Sequence, residues 1–212
     1  MSDYVIFQTG DSRSFPDGDA FLQDVSESGD VVIHLGKVGD VRPDARHQAI
    51  LVELDRECLG VHTGERSGTE GSNVLGFARY RNGNDAPTNL IELVRQPQTD
   101  PDALEAATAV FRDAGFEVVV SADQPGRIID RLVRPKYNAA LRFLDEGLAT
   151  AEAMDMTCRM GLGYPDGLIE RVERGDLARH YEVSKAIHDM NGLAGYAPAR
   201  RAHVAVQRKA RG

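Results

Sequence analysis

Few side chains here could act near neutral pH as a base, nucleophile or metal ligand. The 212 residues hold six histidines and two cysteines. His34, His47, His62, His180, His188 and His203 form no HxxxH or HxH set, so their spacing argues for no metal site. Cys58 and Cys158 lie far apart and outside any CxxC pattern, which argues against a metal knuckle or a disulfide framework and fits a reducing cytosol. No GxSxG or comparable nucleophile motif occurs. His62, in "LGVHTGE", reads as a polar surface histidine of a loop. Glu92 is a carboxylate inside the apolar run "NLIELVR", near Arg79, Arg81 and Arg95. A structural ion pair is its plain reading. Arg127 and Asp130, in "PGRIID", open a long helical pattern, and Arg127 is placed to meet Asp130.

Glycine loops could cradle phosphate, but none has the right form. The first apolar run leads into "QTGDSRSF", with the single glycine Gly10. "GKVGD" and "GERSGTEGSN" do not join a strand to a helix and read as turns.

The bulk numbers narrow the class. A net charge of −8 argues against a nucleic-acid partner. No run of eighteen apolar residues argues for a membrane span. "MSDYVIFQTG" is not a secretory signal, so a cytoplasmic location is expected. Residues 1–30 carry seven acids against Arg13 alone, while the tail from Ala199 carries Arg200, Arg201, Arg208, Lys209 and Arg211 and no acid. That tail reads as a frayed, solvated end, or as a contact for phosphate or an acidic partner.

The positioning elements follow from periodicity. "YVIF", "DVVIHLG", "AILVEL", "VLGFARY", "NLIELVR" and "EVVVSA" are strand-like. Asp100-Pro101 caps a helix whose apolar face is Leu104, Ala107, Val110 and Phe111 and which Gly115 ends. The early connections are thin: a short helix around "DAFLQDV" is possible, and Lys37 to Gln48 hardly hold one. The first ~95 residues thus read as a cut-down α/β unit or a partly antiparallel sheet. From Arg127 a helical period runs to Gly147, with Pro135 expected to kink or divide it. Thr150 caps a second helix ended by Gly161. A third starts at Asp166 or Gly167 and runs through about Met190 to Gly192.

"VVVSADQPGRIIDRLVRPKYNAALRFLDEGLATAEAMD" followed by "GLGYPDGLIE" resembles the 3-hydroxyacyl-CoA dehydrogenase family over about Val74 to Ile187. The resemblance implies a reduced, incomplete Rossmann-like α/β sheet over residues 1–122. It implies an all-α dimerisation domain of the 6-phosphogluconate/3-hydroxyacyl-CoA dehydrogenase C-terminal type over residues 123–212. The first part resembles the shortened second copy of duplicated family members. The family uses a histidine base, an orienting glutamate, a serine and an asparagine. Glu92 matches the glutamate, Asp130 falls on the asparagine and Glu53 on the serine. The histidine falls on Ala78, or near Tyr80 when counted back from Glu92; the alternative to a lost base is that His62 replaces it in a rearranged site. Arg127 replaces an apolar family residue, where it could meet a CoA phosphate.

These matches imply a relative with lost or weak activity that needs no cofactor. It would form a homodimer through the helical domain and bind an acyl-CoA or a complete dehydrogenase. The alternatives are an active NAD-dependent 3-hydroxyacyl-CoA dehydrogenase of fatty-acid or aromatic-acid degradation, and a purely structural interaction module.

Overall fold

The computed structural model describes residues 3–23 and 25–211. The chain divides into two compact units, one of residues 1–81 and 86–127, the other of residues 82–85 and 128–212.

The first unit is a six-stranded sheet: β1 (Tyr4–Thr9), β2 (Val31–Gly36), β3 (Ala49–Glu53), β4 (Val74–Arg79), β5 (Leu90–Arg95) and β6 (Glu117–Ala122). Strand order equals chain order. β1 to β4 are parallel, β4 and β5 antiparallel, and β5 and β6 parallel. The cut-down α/β reading therefore fits the first four strands, and the partly antiparallel one fits β5 against β4. β3 is buried at every residue, as a strand covered on both faces must be.

One face carries an aromatic core in which Phe15, Phe21, Phe77 and Phe111 pack with Phe116. Helix α2 (Pro101–Asp113) covers it with Ala103, Ala107, Val110 and Phe111. Asp100 caps this helix by accepting from the Asp102 amide at 3.0 Å. The opposite face buries Val32, Ile50, Val52, Leu54, Leu59, Val74 and Val94.

The short crossovers are held by side chains. Between β1 and β2 the expected helix is only a 3₁₀ turn, Ala20–Leu22; Asp24 lies outside the described residues. Between β2 and β3 the chain crosses without a helix. Asn73 ties this loop down by donating to the Asp44 and His47 carbonyls, both at 2.9 Å. The connection from β3 to β4 contains the single-turn helix α1 (Gly60–Thr63).

The second unit contains α3 (Ile128–Asp145), α4 (Ala151–Leu162), α5 (Leu168–Arg174), α6 (Leu177–Asn191), a 3₁₀ turn at Ala194–Tyr196 and α7 (Arg200–Lys209). Its core is Tyr137, Ala140, Leu141, Ile169, Val172 and Ala199.

Three expectations need correction, and one is narrowed. Of the kink or division expected at Pro135, the division does not occur: α3 runs through it. Proline frees the carbonyl four residues back, and that carbonyl, of Arg131, accepts from the Tyr196 hydroxyl at 2.9 Å. Helix α4 ends one residue past Gly161, with Gly163 in the left-handed region at φ +69°. The third helix is two, because Gly175 ends α5 and Asp176, at φ +70°, caps α6 by accepting from the Ala178 amide at 2.8 Å. The basic tail is not frayed: α7 buries Ala202, and Arg201 reaches Asp145 at 2.6 Å while Lys209 reaches Asp176 at 3.2 Å.

Candidate functional site

Glu92 lies in the middle of β5, only 2% exposed. The register sets it directly opposite Ala78 on β4. Directly opposed residues of an antiparallel pair point to the same face, so the side chain that β4 sets beside Glu92 is a methyl group. Tyr80, the other position that counting allows for a base, lies beyond the end of β4.

At the carboxyl ends of the parallel strands another carboxylate is central. Glu53, the last residue of β3, is 7% exposed. Its Oε1 accepts from the Ser14 amide at 2.7 Å and the Ser12 hydroxyl at 3.0 Å. Its Oε2 accepts from the Gly36 amide at 2.8 Å. The loop after β1 and the end of β2 are thereby drawn onto β3.

Arg127 is buried, and its Nη2 donates to the carbonyls of Gln124 at 2.6 Å and Glu57 at 3.1 Å. The expected pairing with Asp130 does not form: Asp130 is held by Arg134 instead. Among the described residues Nε and Nη1 of Arg127 make no hydrogen bond. Burial lowers its pKa, and the charges of Asp123 and Glu92 oppose that effect.

His62 is not an exposed loop side chain: it is buried, at 8% exposure. Its Nδ1 is 3.1 Å from the Gly39 carbonyl and its Nε2 is 3.4 Å from Glu57. The bond to Glu57 raises its pKa against the cost of burial. Burial pushes the Glu57 carboxyl up, but the bonds from His62 and from backbone amides outweigh it and hold it at about 2. Burial and Asp123 push the Cys58 thiol up to about 11, which keeps it a neutral, unreactive thiol. No group of three or more histidine, cysteine or acidic side chains among the described residues could hold a metal.

In the helical unit, Asp130, Arg134 and Asn138 stand four residues apart on α3, and His180 and Ser184 four apart on α6. All five are buried. Arg134 donates to Asp130, and its Nη1 lies 3.4 Å from His180 Nδ1. A guanidinium only donates, so Nδ1 must accept and Nε2 must carry the proton. Nε2 then donates to Asn138 Oδ1 at 2.9 Å, and Asn138 Nδ2 donates to Ser184 Oγ at 2.9 Å. Burial, then the Arg134 charge, holds His180 at about 3, so it is neutral at physiological pH. The sequence reading missed Glu53's bonding and this network. Polar residues at helical spacing within an apolar pattern were the available signal.

Residues 126–212 match the family model of the 3-hydroxyacyl-CoA dehydrogenase C-terminal domain. The helical half is thus similar to the C-terminal domain of the 3-hydroxyacyl-CoA dehydrogenases. A 3-hydroxybutyryl-CoA dehydrogenase of Bradyrhizobium diazoefficiens is 32% identical over 105 residues, covering 50% of this chain and 35% of that protein. The mitochondrial hydroxyacyl-coenzyme A dehydrogenase of Sus scrofa is 31% identical over 102 residues, covering 48% of this chain and 32% of that protein. The chain thus spans about a third of the length of these relatives. Likeness of fold runs further: (S)-3-hydroxybutyryl-CoA dehydrogenase from Ralstonia eutropha superposes with a TM-score of 0.72 at 20% identity, over 85% of this chain and 66% of that one. The fold is like that structure's, a Rossmann-like sheet followed by a helical domain. No helix among the described residues is long and apolar enough to cross a membrane.

Proposed function

We propose that this chain is a 3-hydroxyacyl-CoA dehydrogenase relative with lost or weak dehydrogenase turnover. It works through its helical domain as a homodimer that binds an acyl-CoA or a complete partner enzyme. The pairing of Glu92 with Ala78 carries this reading. In the family a glutamate orients a histidine that removes the hydroxyl proton. Such a base must lie within hydrogen-bond reach of the substrate oxygen, and a methyl group cannot take a proton.

Three further features support it. Asp130, at the family's asparagine position, accepts from Arg134 inside the helical unit. NAD, the family cofactor, does not fit the sheet edge. Dinucleotides bind where strand order reverses, on a glycine-rich turn into a helix. Among the described residues the order never reverses, and the element that follows β1 is a 3₁₀ turn. The exposed Met156, Met160 and Leu162 supply the apolar surface a homodimer would cover.

Acetoacetyl-CoA reduction by NADH, calorimetric titration with NADH, and light scattering at micromolar concentration test the reading together. Negligible turnover, a flat NADH titration and a dimer are expected. Turnover of several per second, or a monomer, overturns it.

A further inference from the structure

We infer that the corner at the carboxyl ends of β1, β2 and β3 is a site for a small oxyanion, which the chain fills with its own Glu53 carboxylate. The inference rests on the first unit alone and goes beyond the question of turnover.

Three donors converge on one place, and none comes from β3. The Ser14 amide and Ser12 hydroxyl belong to the loop after β1, and the Gly36 amide ends β2. Amides gathered from turns at strand ends form the concavities that bind phosphate and carboxylate oxygens. Glu53 reaches this one from the neighbouring strand as a ligand would.

The donors are fixed in advance. Ser12 Oγ accepts from the Phe15 amide at 2.9 Å, so its single proton is left for Glu53. Ser14 Oγ accepts from the Arg79 amide at 3.2 Å, which anchors that part of the loop to β4. Arg79 adds a second anchor through its guanidinium, bonded to Asp19 at 2.6 Å and to the Thr88 carbonyl at 2.6 Å. Gly36 sits at φ +80°, and a Cβ there would come within 2.4 Å of the Thr9 carbonyl oxygen. Only glycine can present its amide in that direction.

The consequence is an occupied anion corner. While Glu53 is in place, phosphate groups find its donors already bonded. Removing the carboxylate while keeping the donors should uncover a site for a small anion, either carboxylate-sized or phosphate-sized.

The test compares wild type, Glu53→Ala and Glu53→Gln, with sodium formate and inorganic phosphate as probes and sodium chloride as the ionic-strength control. Glu53→Ala should melt below wild type. Formate or phosphate at about tenfold its Kd should then raise its Tm by about 3 °C or more, saturably and beyond the chloride effect. Wild type should show no such rise. Neither should Glu53→Gln, whose side chain still fills the corner. Adding Ser12→Ala to Glu53→Ala should weaken the anion effect several-fold. If Glu53→Ala does not fold unaided, its refolding yield with and without formate reads the same property. Equal anion responses in wild type and Glu53→Ala, or no rescue of Glu53→Ala by either anion, overturns the inference. NADH turnover is not read here, so a failure of this inference leaves the proposed function standing, and the reverse.

Discussion

Arg134 reaches back one helical turn and closes on a single oxygen of Asp130, with Nε at 2.9 Å and Nη2 at 2.5 Å. Both side chains are about nine-tenths buried. Removing one partner of such a pair strands the other charge away from water, which costs more than the pair itself contributes. Asp130→Asn, which installs the family's amide, should therefore lower stability by about 3–5 kcal/mol. Asp130→Asn combined with Arg134→Met should recover most of that loss. Urea unfolding of the four proteins in the cycle measures it. A single variant as stable as wild type would mean that Arg134 finds another acceptor.

His180 gives the helical unit a pH dependence of known sign. Its pKa falls from 6.5 to about 3 on folding. Between those values the unfolded chain binds one proton more than the folded chain. Stability must therefore fall as pH drops below about 6.5, by at most about 1.4 kcal/mol per pH unit from this group. His180→Gln should flatten the slope between pH 5 and 6.5, above the window in which Glu57 titrates. His62 has the opposite sign: its raised pKa stabilises the fold below about pH 6.5 and stops doing so as pH rises through the folded value. The difference between wild type and His180→Gln cancels the other groups. Parallel curves for the two proteins would show that His180 is protonated in the folded state.

All six strands and α2 were legible in the sequence, because each is an apolar run bounded by glycine, proline or aspartate. The family signature in the helical half was legible for the same local reason. What periodicity could not give was partnership across the chain. Glu53 finds Ser12 and Gly36 only after three strands align, and His62 is buried only because a loop 23 residues earlier folds over it. The break at Gly175 and Asp176 was missed because apolar spacing continues through it. Nothing in that spacing reports the positive φ of Asp176.

Met156 and Met160 stand one turn apart on α4, 58% and 83% exposed, with Leu162 beside them at 59%. Replacing both methionines by lysine should convert the proposed dimer to a monomer by light scattering. Each chain's own unfolding free energy should change by no more than about 0.5 kcal/mol, as for surface substitutions without buried partners. A variant that stays dimeric would move the interface to another face.

The glycines of "GLGYPDG" are there for three different reasons, and alanine substitution should rank them. Gly161 lies within α4, and a Cβ would touch only Thr157 Cγ2, at 3.8 Å. Gly161→Ala should be neutral or stabilise by up to about 1 kcal/mol, since alanine loses less backbone entropy in a helix. Gly163 caps α4 at φ +69° with open space around it. Gly163→Ala should cost about 1–2 kcal/mol, the left-handed penalty alone. Gly167 has an ordinary φ, but a Cβ there would fall 2.1 Å from the Asp155 carboxyl carbon. That carboxylate is 6% exposed and accepts from the Ile169 and Glu170 amides, at 2.8 and 3.0 Å, in the first turn of α5. Gly167→Ala must push it away, stranding two amides and a buried charge, at about 3 kcal/mol or more. Urea midpoints should fall in the order Gly161→Ala, Gly163→Ala, Gly167→Ala. If Gly167→Ala is the mildest of the three, Asp155 is not the fixed cap described above.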